Sequence, residues 1–133
     1  MSMFTSKMEK FAQNSNLKIE IEHNHFIYLT LPRRIILGVG MLDPDYAEFK
    51  INCTSDYDNP EEISEQLSAY FMSRNSPTKI GNWVIEHGES SQKYWHALHF
   101  VVLWSSLTQQ RFDQITHALE DEFISYGKFV SGF

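Results

Sequence analysis

The stretch Leu17-Lys18-Ile19-Glu20-Ile21-Glu22-His23-Asn24-His25-Phe26-Ile27-Tyr28-Leu29-Thr30-Leu31-Pro32 decides the fold class. Leu17, Ile19 and Ile21 alternate with Lys18, Glu20 and Glu22. A period of two sends alternate side chains to opposite faces, so this is a strand with one wet face. His23-Asn24-His25 reads as a tight turn. Phe26–Leu31 is a second strand, stopped by Pro32, which has no N–H to donate. Strands joined by so short a turn run antiparallel.

Upstream, Met3, Phe4, Met8, Phe11 and Ala12 recur every three or four residues, the spacing of a short amphipathic helix over Met3–Asn14. Downstream, Ile35–Leu42 is a third strand. Its Gly38 and Gly40 fall on one face, where they allow a bulge or the close approach of another backbone. Asp43-Pro44-Asp45 is a turn, because Pro presets φ and Asp side chains bond local backbone groups. Ala47–Thr54 is a fourth strand, with Phe49, Ile51 and Cys53 on one face. Asn59-Pro60-Glu61-Glu62 reads as a helix start. That helix carries Ile63, Leu67, Tyr70 and Phe71 and runs to about Arg74. Lys79–Glu86 and Lys93–Trp104 are strands joined by a hairpin connection at His87–Gln92. From about Gln109, Phe112, Ile115, Leu119, Phe123 and Tyr126 form the apolar stripe of a last helix. The predicted order is α-β-β-β-β-α-β-β-α, an α+β fold with a single antiparallel sheet. No repeat or flexible linker divides residues 1–133, which read as one domain.

Composition excludes several functions. The chain has 133 residues, with 11 Lys and Arg against 17 Asp and Glu, a formal charge of −6. That balance argues against nonspecific binding to nucleic acid or anionic membranes, which needs clustered cations. Nothing approaches the ~18 apolar residues of a membrane span. No apolar segment follows Met1–Lys10, so it does not read as a signal peptide, and the expected location is cytoplasmic. Cys53, the single cysteine, has no partner for an intramolecular disulfide and reads as a small buried apolar residue.

Motifs for chemistry are weak. His96 and His99 would share a face on a helix, but an odd spacing on a strand separates them. His23 and His25 flank a turn. Asp56-Tyr57-Asp58 lacks the oxygen spacing of a calcium loop. In Glu120-Asp121-Glu122, consecutive helical positions cannot all face one way, so the run reads as a wet flank. No nucleophile elbow or phosphate loop is present. The reading is therefore non-enzymatic, with no catalytic residue, no cofactor and no metal.

The aromatics, 14% of the chain, are the better lead. On Lys93–Trp104, one face carries Tyr94, His96, Leu98, Phe100, Val102 and Trp104. The other carries Trp95, Ala97, His99, Val101 and Leu103. Both are apolar, whereas an antiparallel strand normally wets one face. Something must cover the second face: a helix of this chain, a dimer mate or a client. The C-terminal Phe129, Val130 and Phe133 follow Gly127, read as a break, and either tuck onto the core or project to a partner.

The segment Ile63–Glu86 carries a family resemblance. A helix ends at Arg74-Asn75, a Ser76-Pro77-Thr78 link follows, and Lys79-Ile80-Gly81-Asn82-Trp83-Val84-Ile85-Glu86 is an aromatic strand. With the hairpin, long strand and amphipathic helix behind it, the portion from Pro60 to Phe129 resembles the YbjN-like proteins and the class I type III secretion chaperones of the Tir-chaperone kind. The resemblance implies a homodimeric adaptor, chaperone or assembly factor. It would hold a segment of a partner protein in an apolar groove, with Trp95, Trp104, Phe129 and Phe133 as candidate partner-binding residues. A small regulatory or structural protein without a client is the alternative. A histidine-based metal protein or enzyme is a third.

Overall fold

A computed structural model describes residues 2–132. The elements are α1 (Met3–Asn14), β1 (Lys18–His23), β2 (Phe26–Thr30), β3 (Ile36–Met41), β4 (Tyr46–Tyr57), α2 (Glu65–Arg74), β5 (Asn82–His87), β6 (Tyr94–Leu103) and α3 (Gln109–Ser131). The expected order of helices and strands is the order observed.

The six strands form one sheet in the order β1-β2-β3-β4-β6-β5, and every pairing is antiparallel. Register puts Ile27 beside Val39, Val39 beside Phe49, Phe49 beside Phe100, and Trp83 beside Leu98. These residues make a single apolar face. All three helices pack on it. Phe11 of α1 stacks on Phe112 of α3 at 5.1 Å, and Phe112 meets Phe49 of the sheet edge-on at 6.1 Å. Phe71 of α2 stacks on His96 of β6 at 3.9 Å and lies 4.7 Å from Trp83 of β5. The core is therefore one layer between helices and sheet.

Caps explain the helix ends. The Ser2 hydroxyl accepts from the Thr5 amide at 3.1 Å, and Thr108 caps α3 through the Arg111 amide at 3.1 Å. The helix expected to start at Asn59 starts later. Pro60–Glu62 is a single 3-10 turn, and the Asn59 side chain caps nothing there. Ile63 then adopts an extended backbone that buries its side chain, and Ser64 caps α2 by accepting from Leu67 at 3.2 Å. Burial of Ile63 outweighs the local start signal.

The second difference lies at Gly127, which does not end α3. Phe129 and Val130 continue the apolar stripe onto the core. That burial offsets the roughly 1 kcal/mol that Gly costs inside a helix.

Asn75, which follows α2, closes part of a sheet edge. Its side-chain amide donates to the Trp83 carbonyl at 2.9 Å, and its carbonyl oxygen accepts from the Trp83 amide at 2.7 Å. Both backbone groups of Trp83 point away from β6, where a further strand would bond. Asn75→Ala is expected to destabilise the fold by about 2 kcal/mol, the worth of two hydrogen bonds to a buried residue. Urea unfolding reads the energy, and faster hydrogen exchange at the Trp83 amide reads the cause. Unchanged exchange there would show that Asn75 does not guard this edge.

Candidate functional site

Among the described residues, no helix packs on the second face of the sheet. Alternation assigns it Lys18, Glu20, Phe26, Tyr28, Ile36, Gly38, Gly40, Tyr46, Glu48, Lys50, Asn52, Val84, Glu86, Trp95, Ala97, His99, Val101 and Leu103. Ile36 is 52% exposed, Leu103 47%, Val101 39% and Tyr28 38%. The sequence required a cover for this face of β6, and none of the described helices supplies one.

A hollow of about 370 Å³ lies on this face, lined by Phe26, Tyr28, Ile36, Gly38, Gly40, Met41, Leu42, Glu48, Lys50 and Asn52. Its floor explains the two glycines. The Phe26 ring lies across both. A Cβ at Gly38 would come within 2.8 Å of that ring, and one at Gly40 within 2.9 Å. What approaches the glycines closely is a side chain, where the sequence suggested a bulge or another backbone. Tyr28 then packs edge-on against Phe26 at 4.9 Å.

Beside the hollow runs a charged network. The Lys50 ammonium sits 3.1 Å from the Glu86 carboxylate and 3.7 Å from Glu48. Glu48 also bonds His99 Nδ1 at 2.9 Å. The carboxylates of Glu48 and Glu86 thus share the Lys50 ammonium between them. The Trp95 indole N–H donates to Asn52 at 3.1 Å. The face thus offers aromatic and aliphatic patches around a charged, hydrogen-bonded centre, which suits burial of a partner's side chains.

Several titratable groups are buried on the other side, where they hold the fold. Glu120 and Glu122, expected on a wet flank, are both buried, and Asp121 between them is exposed. Residues two apart on a helix face well apart, so the two acids meet different partners. Glu120 accepts from the Arg33 amide at 2.9 Å and lies 3.4 Å from its guanidinium. Glu122 takes a bidentate bond from Arg74 at 2.5 and 2.6 Å, one from Lys79 at 3.0 Å and one from the Trp83 indole at 2.8 Å. Burial alone would raise its pKa, but the bonds from Arg74, Trp83 and Lys79 together lower it to about 2. Burial lowers His96 to about 4, and raises the Cys53 thiol to about 11 despite its hydrogen bond from Tyr126. Cys53 is therefore a protonated thiol at neutral pH. His96 faces the helices and His99 the open side, as the strand spacing required. Among the described residues, no group of three or more His, Cys, Asp and Glu is placed to hold a metal ion, and no helix is long and apolar enough to cross a membrane.

The sequence-predicted binding residues do not converge. Trp95 lies on the open face. Trp104 follows β6 in a 3-10 turn, packs edge-on against Phe4 at 5.5 Å, and donates its indole N–H to the Pro44 carbonyl at 3.0 Å. Phe129 stacks on Tyr70 at 4.3 Å, on the helical side. It lines a shallow hollow between α2 and α3 with Gln66, Ala69 and Ser73. Phe133 lies outside the described residues. The residues that sequence reasoning missed are Phe26, Tyr28 and Ile36. Their even-numbered alternation was visible, but which face the helices would cover was not.

No protein-family model matches the chain, and no curated protein matches its sequence. Solved structures do match in fold. The type III secretion chaperone SycH of Yersinia pestis, in complex with a stable fragment of YscM2, superposes with a TM-score of 0.62 at 14% identity, covering 92% of this chain and 98% of that one. An uncharacterized protein from Methanothermobacter thermautotrophicus gives a TM-score of 0.65 at 9% identity, covering 98% of each chain. The expected secretion-chaperone-like α+β fold is thus the fold this chain has.

Proposed function

We propose that the whole chain acts as one non-enzymatic, cytoplasmic, protein-binding domain. It is an adaptor, chaperone or assembly factor that holds a segment of a partner protein, and it works as a homodimer. One observation carries this reading: a six-stranded sheet with three helices on one face and a bare, aromatic-lined hollow on the other. The likeness in fold to SycH, solved with a protein fragment bound, supports it. Apolar side chains of the client would fill the hollow over Phe26 and run past Tyr28, Val101 and Leu103. Trp95 would contribute on the same face. Trp104, at the end of β6, and Phe129, beside the α2–α3 hollow, form the second set of contacts in this reading, and Phe133 would add to them.

The test is affinity capture from the native cytoplasm, followed by a peptide array of whatever partner is recovered. One dominant partner and one short bound segment are expected. Tyr28→Asp/Val101→Asp should weaken binding of that segment at least about tenfold, because each change places a charge where apolar area is buried. Both positions are exposed, so the thermal midpoint should stay within a few degrees. Full binding by the double variant would remove the open face from the reading. Recovery of no partner would remove the adaptor role.

A further inference from the structure

The two sheet edges are treated differently. At β5, the Asn75 side chain already occupies both outward backbone groups of Trp83. At β1, among the described residues, no hydrogen bond from another element reaches the outer side of Lys18–Glu22, and Lys18, Glu20 and Glu22 make no ion pair. Five of its six residues are exposed. A bare edge of this length is a template on which another strand can pair.

The sequence of β1 selects which strand. Pairing with β2 is regular from Lys18 to Ile21, and shifts between Ile21 and His23. The stretch able to pair regularly is therefore 18–21, since the Leu17 amide already donates to the Ala12 carbonyl of α1 at 2.8 Å. Laid antiparallel against itself about Ile19, it sets Lys18 opposite Glu20 twice on the open face. On the helical face it sets Ile19 opposite Ile19. Directly opposed pairs of this kind stabilise a sheet, and like charges directly opposed destabilise it. Centring on Lys18 opposes two lysines. Centring on Glu20 opposes two glutamates. Centring on Ile21 sets Glu20 against Glu22 and runs into the register shift. Of these four registers, only the one centred on Ile19 avoids a like-charge pair.

We propose that β1 pairs with β1 of a second copy in the Ile19-centred register. This inference rests on the homodimer in the functional reading above and says where the dimer closes. Both copies keep their helices on the same side, so two six-stranded sheets become one. The two open faces then become one continuous client surface.

The test uses the full chain and four proteins: the natural sequence, K18E, E20K and the K18E/E20K double variant. Lys18 and Glu20 are exposed, so each variant should fold, which far-UV circular dichroism verifies. Sedimentation equilibrium should find the natural chain dimeric. Each single change converts two attractive pairs into two repulsive ones and should weaken association about tenfold or more. The double variant restores Lys opposite Glu in this register and should return to within about threefold of the natural constant. A dimer indifferent to the single changes overturns the β1 edge and leaves the homodimer standing. Single changes that weaken a dimer the double variant fails to rescue overturn the self-paired register. A monomeric natural chain overturns both this edge and the homodimer, while client capture through Tyr28 and Val101 is judged separately by its own variants.

Discussion

Glu122→Leu is expected to destabilise the protein by about 3–4 kcal/mol, close to the cost of breaking a buried ion pair. Glu122 is buried and answers three cationic or N–H groups from three places in the chain: Arg74 at the end of α2, Lys79 in the link, and Trp83 in β5. Arg74 and Lys79 keep about a third of their side-chain exposure and can turn towards water. The Trp83 indole N–H is buried and cannot. Glu122→Gln retains an acceptor for it and should cost less, about 2 kcal/mol. Urea unfolding measures both. A loss below about 1 kcal/mol for the leucine variant would show that the cluster is not what ties α2, β5 and α3 together.

The same carboxylate sets an acid limit. Its folded pKa of about 2 lies below the ordinary 4.5, so the unfolded chain takes up its proton first. The stability it contributes is complete above pH 4.5 and is lost as pH falls through 2. His96 acts in an earlier window. Its folded value of about 4 lies below 6.5, so stability declines as pH falls from 6.5 through 4. In Glu122→Gln the decline between pH 6.5 and 4 should persist, and the one below 4.5 should flatten. Loss of the upper decline in that variant would contradict the assignment to His96.

Gly81→Ala is expected to cost about 2–6 kcal/mol. Two effects add. Gly81 has φ +92°, which an L side chain adopts at a cost of roughly 1–3 kcal/mol. An added Cβ would also meet Leu119 at 2.8 Å and Leu98 at 3.2 Å. Both leucines are fully buried, so they cannot retreat to solvent, and overpacking costs a further 1–3 kcal/mol. Gly127→Ala is the control. That glycine is inside α3 with nothing within 4 Å of an added Cβ, so the same change should stabilise by up to about 1 kcal/mol. Equal effects at the two positions in thermal unfolding would contradict the account of Gly81.

The elements that were legible in the sequence are those whose signal is local. The alternation of Leu17–Glu22, the stop at Pro32 and the stripe from Phe112 to Tyr126 each lie within a few turns or residues. They determined six strands, three helices and their order. The strand spacing also placed His96 and His99 on opposite faces. Misreadings came where a local signal met a distant partner. Asn59-Pro60 has every mark of a helix start, yet Ile63 is pulled out of the helix to be buried. Gly127 has the mark of a helix end, yet the core holds Phe129 beyond it.

For the binding face, the sequence by itself determined that β6 is apolar on both sides and therefore needs two covers. The tertiary structure alone decided that all three helices cover the same side. Helix placement depends on Phe11, Phe49, Phe71 and Phe112 meeting across large sequence separations, and a period of two or 3.6 carries no information about which face a distant helix will choose. The same holds for Glu120-Asp121-Glu122. Their cost of burial is met by Arg33, Arg74 and Lys79 from other elements, so a run that reads as solvated by its own neighbours becomes, once folded, two of the ties that hold the helices against the sheet.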